Sequence, residues 1–278
     1  MAKVKLQLGK KNVGGGKKGA LAPKFELPKA AMLVADNLYE YSFLLYGVGK
    51  IGKTSLLTQF PDPYFLMFDP LKRGMEMKQS RIKSWAQLLE AVAALEANPK
   101  YCKTVIFDTG YGAYDLCYQH MCEEYGVQTH QDAPFGFWKE VEREFKETQA
   151  RVRDAGFGLV ATAHCDEEEV TKFGMTRNVT VTQLGKQATR YYLAEMDIIG
   201  YYHFSESGER LLQIRGDSET LAGVRTEGKF LFPNGEPIKM INMGKSPKEA
   251  YNNFLSAFQN KLTTAKEAKG GTKLKLKK

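Results

Sequence analysis

The sequence predicts an α/β fold with a mostly parallel sheet, helices on both of its faces and an antiparallel edge. Apolar, strand-like segments alternate with helical patterns across residues 31–260. Segment 104–107 is apolar at nearly every position, as expected of a strand that is covered on both faces. A later hairpin pattern, with Ser207 and Gly208 at its turn, indicates that the last strands pair antiparallel.

The individual elements follow from local patterns. Strands are predicted over 41–46, 64–68, 104–107, 158–163, 198–204 and 210–214. Helices are predicted over 54–60, 84–97, 137–155 and 246–258. Ser84 and Ser246 are suited to cap two of these helices, and Pro247 fits the first helical position after Ser246. The regular alternation predicts that each helix connects neighbouring strands and packs on the sheet.

The charge of the chain is concentrated at its two ends. Residues 1–24 carry seven lysines and no acid, and residues 261–278 carry seven lysines and one glutamate. The net charge is +8 overall, so the part between these ends is acidic. This pattern predicts basic, disordered tails at 1–30 and 261–278 around a core at 31–260. Such tails either attract an anionic polymer or only keep the protein soluble.

Other features indicate the compartment. The four cysteines form no CxxC pair, which is typical of reduced thiols. No apolar region follows the N-terminal lysines, and no apolar run approaches the roughly 18 residues of a membrane-spanning helix. We therefore expect a cytoplasmic protein with no membrane partner.

A glycine-rich segment after the first strand carries the most specific signal. It matches the pattern G-x-x-x-x-G-K-[ST] at every position, and it is followed by Ser55. Its residues are Gly47, Val48, Gly49, Lys50, Ile51, Gly52, Lys53 and Thr54. The glycines let successive backbone N–H groups cradle phosphate oxygens. The segment therefore predicts a P-loop that binds ATP and Mg²⁺, with Lys53 facing solvent to reach the phosphates and Thr54 on the metal.

Two polar residues follow later strands of the predicted sheet. Asp108 comes directly after segment 104–107, at the place where a P-loop protein carries its second Mg²⁺ residue. His164 comes directly after segment 158–163. Because carboxyl ends of parallel strands open onto one crevice, we expect both side chains beside the P-loop. His164 is then either a γ-phosphate sensor or a structural histidine.

This order of elements resembles the RecA-like ATPase core. The P-loop, a strand ending at Asp108 and a strand ending at His164 carry the resemblance, which covers residues 38–235. It is most similar to small phage-encoded RecA-like ATPases of single-strand annealing and recombination. The resemblance implies an ATPase that forms rings or filaments of its own copies and acts on single-stranded DNA. It also implies a single-strand DNA-binding protein as partner and, for a phage protein, the host cytoplasm as location.

The resemblance places two further sites. Mobile DNA-binding loops follow the sheet strands in the family, and the matching stretch here is residues 166–190. That stretch contains Lys172, Phe173, Arg177, Asn178, Lys186 and Arg190, but it begins with four acids. A solvated loop without a DNA contact is the alternative. Arg225 lies where ring-forming relatives present a basic finger to a neighbour's γ-phosphate, with an ordinary surface arginine as the alternative.

The chain departs from the family at the residue that activates water. The family places a glutamate two residues after an aspartate that ends the second strand. This chain has Asp69, Pro70 and then Leu71. Glu76 or Asp69 is left to replace that glutamate, or hydrolysis is slow and ATP binding itself controls assembly.

The sequence thus predicts a DNA-stimulated ATPase of recombination or strand annealing. A DNA-binding module that uses ATP only as a switch is one alternative. A ring-forming, helicase-like motor is another, although the chain has little room for the helical domain that such motors carry. A small-molecule kinase is disfavoured because no arginine-rich lid segment is present.

The lysine-rich ends generate a prediction about DNA binding. Protein lacking residues 1–24 and 261–278 should bind single-stranded DNA more weakly and with a shallower dependence on salt. Each phosphate that is neutralised contributes a slope of about −0.7 in log affinity against log salt. Fluorescence-anisotropy titrations of the two proteins, with and without a non-hydrolysable ATP analogue, measure this. Identical slopes would show that the lysines only keep the protein soluble.

Overall fold

The computed structural model describes residues 29–30, 36–172 and 175–262. The chain divides into two units, Met1–Val34 and Ala35–Lys278, and only residues 29–30 of the first are described. The predicted tails at 1–30 and 261–278 therefore lie almost entirely outside the described residues. The fold below is that of the second unit.

Ten strands and six α-helices make up the described part of this unit. The strands are β1 (Phe43–Gly47), β2 (Pro63–Met67), β3 (Lys78–Arg81), β4 (Thr104–Asp108), β5 (Gly158–Lys172), β6 (Met175–Thr182), β7 (Ile198–Phe204), β8 (Arg210–Gln213), β9 (Gly223–Val224) and β10 (Met240–Asn242). The helices are α1 (Lys53–Leu57), α2 (Trp85–Ala97), α3 (Gly110–Glu124), α4 (Phe137–Asp154), α5 (Lys186–Glu195) and α6 (Pro247–Phe258). Among the described residues, we find no helix with the length and apolar character needed to cross a bilayer.

The strands form one sheet in the order β10-β8-β7-β1-β5-β4-β2-β3. All neighbours from β7 to β3 are parallel, whereas β7, β8 and β10 pair antiparallel. The predicted α/β sheet with an antiparallel edge is confirmed. β5 lies between β1, which leads into the P-loop, and β4, which ends at Asp108. The carboxyl ends of β1 and β4 therefore flank β5 at the same edge of the sheet.

Apolar side chains bury both faces of this sheet. On one face, α2, α3, α4 and α5 pack around aromatic residues such as Trp85, Phe107 and Phe145. On the other face, α1 and α6 pack around Phe43 and Phe254. Strands β1, β2 and β4 are buried almost throughout because helices cover them from both sides. This double cover holds the P-loop edge on a rigid base.

Two helices begin at the predicted capping residues. The Ser84 side chain accepts a hydrogen bond from the backbone N–H of Gln87, and the Ser246 side chain accepts one from the backbone N–H of Glu249. Pro247 occupies the first turn of α6, where its missing N–H costs nothing. Both caps satisfy donors that the first helical turn leaves free.

The prediction of a mobile loop over residues 166–190 is wrong. β5 does not end before His164 but continues to Lys172, and it pairs antiparallel with β6 from Cys165↔Thr182 to Lys172↔Met175. We call these paired segments, 165–172 and 175–182, the ribbon. The described remainder of the predicted loop forms a turn and the start of α5. Threonine and valine dominate β6, and such β-branched side chains favour extended strands.

The packing under α6 generates a stability prediction. The Phe254 side chain is fully buried, and its ring centroid lies 5.2 Å from that of Phe43 and 5.7 Å from that of Phe230. Phe254→Ala should lower the free energy of unfolding by about 3–5 kcal/mol because it leaves a cavity among these rings. Urea denaturation measures the change. Phe204→Ala is the matched control: Phe204 is 45% exposed and should cost less than about 1 kcal/mol. Equal losses for the two variants would contradict this account of the core.

Candidate nucleotide-binding site

The glycine-rich segment leaves β1 through a position where only glycine fits. A Cβ atom on Gly47 would lie 1.9 Å from the backbone oxygen of Tyr202 on the neighbouring strand β7. The same oxygen accepts a hydrogen bond from the N–H of Val48 at 3.2 Å. At the other end of the segment, Gly52 has a φ of 108° as the chain turns into α1. The segment is thus anchored to the sheet at its start and bent by a glycine at its end.

Lys53 lies inside the loop and not on its surface. The residue is 8% exposed, and its Nζ donates to the backbone oxygens of Gly47 at 2.8 Å and Val48 at 2.9 Å. The expectation that Lys53 faces solvent is therefore wrong. Burial lowers the pKa of Lys53 to about 8, and the nearby Asp108 carboxylate opposes that shift only in part. The ammonium group is held at the centre of the loop, and its loss of hydration is only partly compensated.

Asp108 is buried and oriented by two hydroxyl groups. Its Oδ2 accepts a hydrogen bond from Thr54 Oγ1 at 3.0 Å, and its Oδ1 accepts one from Thr162 Oγ1 at 2.6 Å. Lys72 Nζ lies 4.0 Å from Oδ2. The carboxylate and the Thr54 hydroxyl are hard oxygen donors in direct contact, and Mg²⁺ is bound through such donors together with water and phosphate oxygens. The residues present therefore fit the predicted magnesium site.

The P-loop, the ends of β2 and β4, and His164 within β5 enclose one pocket. Its lining residues are Lys50, Gly52, Lys53, Thr54, Ser55, Asp69, Lys72, Met75, Asp108, Thr109 and His164. The sheet register pairs Gly47 with His164, so the histidine stands beside the loop although its strand continues beyond it. Burial and the Lys53 ammonium lower the pKa of His164. A neutral imidazole at this place can both donate and accept a hydrogen bond.

The pocket also separates the two alternatives for the missing glutamate. Asp69 lines the pocket, whereas Glu76 is exposed and is not among its lining residues. Leu71 is 46% exposed and carries no group that can accept a proton. Asp69 is therefore the better placed of the two acids to orient a water molecule.

Arg225 lies outside this pocket. It follows β9, which pairs with Ile198 and Ile199 at the start of β7, whereas the P-loop lies beside the other end of that strand. Its side chain is exposed and donates to the backbone oxygen of Leu193 at 3.1 Å. Arg225 cannot serve the pocket of its own chain from this position. Its action on a neighbouring copy stays a prediction.

Thr162 and Lys72 both lie next to Asp108, and the sequence patterns did not single out either residue. Thr162 looks like an ordinary β-branched strand residue, and only the sheet register brings its hydroxyl to Asp108. Lys72 follows the end of β2, where a charged residue after a buried strand is a signal that could have been used.

A second depression adjoins the loop on the side of β7 and β8. It shares Lys50, Gly52 and Ser55 with the pocket. The remaining lining residues are Ile51, Leu56, Tyr202, Arg210, Lys245, Ser246 and Pro247. Arg210 is held there by the backbone oxygens of Ile51 at 3.2 Å and Lys245 at 3.1 Å. The pocket on the Asp108 side of the loop is thus lined by both carboxylates and lysines. The depression on the other side is lined mainly by basic and apolar side chains.

Residues 39–226 match the family model of an AAA domain, and this match covers more than half of the chain. The chain belongs to this AAA-domain family. It is a P-loop ATPase domain, and nucleotide binding is implied by the family as well as by the loop. The matched residues extend from the 3-10 helix Leu38–Glu40 to just beyond β9, and they include every residue of the pocket. The mixed α/β sheet is the fold expected of this family.

A prophage protein is similar to part of this chain. The chain is 28% identical over 150 residues to the SPbeta prophage-derived uncharacterized protein YorG of Bacillus subtilis strain 168. The similarity covers 50% of this chain and 46% of that protein. The chain thus matches less than half the length of this relative.

The buried lysine of the AAA domain generates a pH prediction. With a pKa of about 8, Lys53 is largely neutral in the nucleotide-free protein at pH 9, and phosphate binding requires its charged form. Affinity for ATP should therefore be full below pH 8 and fall as the pH rises above it. The proton taken up on binding should rise from about a quarter at pH 7.5 to about nine-tenths at pH 9.

Calorimetry in two buffers of different ionisation enthalpy measures this uptake. The second phosphate pKa of about 6 lies below this window, so the nucleotide itself contributes little. Lys53→Arg is the control, since arginine stays charged and should bind without proton uptake. Constant affinity and no uptake by the wild-type protein up to pH 9 would rule out a buried, partly neutral Lys53.

Proposed function

We propose that this AAA-domain protein binds Mg²⁺ and ATP, hydrolyses ATP slowly, and acts on single-stranded DNA in phage recombination or strand annealing. The observation that carries the proposal is the pocket in which Lys53, Thr54 and Asp108 are brought together by the sheet. Asp69 and His164 complete its polar lining.

Each residue has a role that its position supports. The backbone of the loop holds the phosphates, and Lys53 exchanges its carbonyl partners for oxygens of the β- and γ-phosphates. Thr54 and Asp108 hold Mg²⁺, which neutralises charge on the phosphates when it is bound. Asp69 orients the attacking water, and neutral His164 contacts the γ-phosphate. The second depression receives the nucleoside, because it continues from the loop on the side away from Asp108.

The DNA part of the proposal rests on charge and on similarity. The lysine-rich ends supply sequence-independent attraction for a phosphate backbone. The ribbon is less basic than the predicted loop, because Lys186 and Arg190 lie in α5 and not in the ribbon. The exposed acids at 166–169 remain in it and lie across from β6, with Glu169 opposite Asn178. Arg177 and Asn178 on β6 are therefore its candidate contacts, and the ends of the chain carry most of the affinity. The prophage relative and the resemblance to RecA-like ATPases support the role in phage recombination.

One observation favours a second candidate function. Leu71 stands where the resemblance expects a glutamate, and among the described residues only Asp69 and Asp108 bring carboxylates into the pocket. Asp108 is already committed to two hydroxyl groups. With so few carboxylates available as a general base for hydrolysis, a DNA-binding module that is switched by ATP with little turnover fits the pocket. In either case, the exposed Arg225 supports assembly of several copies, with each arginine acting on its neighbour.

Phosphate release with and without single-stranded DNA tests the proposal. The full-length protein should release phosphate slowly and several-fold faster when DNA is added. Lys53→Ala should abolish turnover, and Asp108→Asn should raise the Mg²⁺ concentration needed for half-maximal rate by about tenfold or more, because it removes one charged ligand.

Lys103→Ala is a matched control for Lys53→Ala, since Lys103 lies at the opposite edge of the sheet before β4. DNA-independent ATP binding without any phosphate release would favour the switched module. Wild-type turnover in Lys53→Ala would remove the pocket from the proposal altogether.

A further inference from the structure

We propose that Lys72 is a second phosphate-binding lysine, one that contacts the terminal phosphate and makes the pocket favour nucleoside triphosphates over diphosphates. This inference rests on the proposed nucleotide binding. It concerns a residue to which neither the P-loop motif nor the family assigns a role.

The position of Lys72 separates it from the other lysines of the site. Lys50 borders both the pocket and the second depression, so it lies beside the part of the site that a diphosphate and a triphosphate would both occupy. Lys53 is fixed at the centre of the loop. Lys72 lines only the pocket on the Asp108 side. Lys53 also lines only this pocket, but its Nζ is bonded to two loop carbonyl groups, so Lys72 is the lysine of this end that is not bound to the loop.

The main chain of Lys72 is held in place by one side-chain amide. The N–H of Lys72 donates to Gln79 Oε1 at 2.9 Å, and Gln79 Nε2 donates to the Lys72 backbone oxygen at 3.0 Å. Gln79 lies on β3 and is in register with Phe65 of β2. The segment after β2 is thus hydrogen-bonded to the neighbouring strand β3. These two hydrogen bonds fix the backbone of Lys72, so that its side chain lines the pocket before any ligand binds.

The ammonium group of Lys72 has donors to spare. Its Nζ lies 4.0 Å from Asp108 Oδ2, which is beyond hydrogen-bond distance, and its side chain is 36% exposed. Within the described part of the chain, it donates no hydrogen bond. An ammonium group carries three donors, and a phosphate oxygen accepts them strongly. Lys72 is therefore a charged donor that reaches the pocket without a committed partner.

The direction of a triphosphate along a P-loop explains the selectivity. The phosphate chain lies in the loop, with its terminal group towards the Mg²⁺-binding acid, here Asp108 at the end of β4. Lys72 stands beside that acid. A diphosphate ends one phosphate earlier and loses this contact, whereas its contacts with the loop and Lys53 remain. Removal of Lys72 should therefore weaken triphosphate binding selectively.

The experiment compares two nucleotides on the same full-length protein. Isothermal titration calorimetry measures the affinities of Lys72→Met for ADP and for a non-hydrolysable ATP analogue, both with Mg²⁺. The analogue should bind about tenfold more weakly than to wild type, the value of one charge-assisted hydrogen bond at a partly exposed site. ADP should change by less than about twofold. Lys72→Arg should keep most of the selectivity because it keeps the charge.

Two further variants make the result specific. Gln79→Ala should lower the selectivity part of the way, because it frees the segment but leaves the ammonium. Lys78→Met is the matched control: Lys78 is on β3, pairs with Asp62 at 2.6 Å and lies outside the pocket, so the selectivity should not change.

The outcomes are distinct. Equal losses for both nucleotides in Lys72→Met would mean that Lys72 only balances the charge of Asp108, and the inference would be overturned while the proposed function stands. Unchanged binding of both nucleotides would overturn it in the same way. Failure of the wild-type protein to bind either nucleotide would overturn the inference and the proposed nucleotide binding together.

Discussion

The register of β5 against its two neighbours is the constraint on which the site depends. On one side Gly47 pairs with His164, and on the other side Phe107 pairs with Ala161. These pairings place the His164 side chain beside the P-loop and the Thr162 hydroxyl beside Asp108. A slip of one residue would turn every side chain of β5 to the opposite face and separate all of these groups. The buried apolar residues of the strand, which pack against helices on both faces, prevent such a slip.

Buried charge at the pocket is stabilised by dipoles more than by ion pairs. Lys53 is held by two backbone carbonyl groups, and Asp108 by two hydroxyl groups, while the closest ion pair is long at 4.0 Å. Charged groups lose hydration when they are buried, and neutral dipoles return only part of it. The charges of Lys53 in the loop and of Asp108 at the strand end are therefore only partly compensated. A ligand that carries the missing charges gains that difference on binding.

The sequence predicted the part of the fold that repeats a simple pattern. Six strands of the sheet, the P-loop and the capping residues Ser84 and Ser246 were found because each depends on a few adjacent residues. The short strands β3, β9 and β10 were not predicted. The ribbon was missed because four consecutive acids and scattered basic residues indicate a solvated loop. In the structure, pairing between β5 and β6 supplies the hydrogen bonds that these residues do not signal.

The site was predicted in the same uneven way. Asp108 and His164 both line the pocket, and each follows a predicted strand segment, which is a local signal. Thr162 and Lys72 depend on which strands lie side by side, and a single sequence does not contain that information in its spacing. Lys53 was expected to face solvent but is buried within the loop. The motif indicates that this lysine contacts phosphates, and it carries no information about burial.

β5 passes through the pocket without a break and continues as one side of the ribbon. From His164 to Lys172 it spans about 26 Å at the usual rise of a strand. If this strand tilted as a rigid unit about His164, it would act as a lever arm whose pivot lies beside the loop. A tilt of about 5° at His164 would move its far end by about 2 Å, which is comparable with the reach of a hydrogen bond. Continuous strand backbone therefore joins the nucleotide-binding edge at His164 to Lys172, with no loop between them.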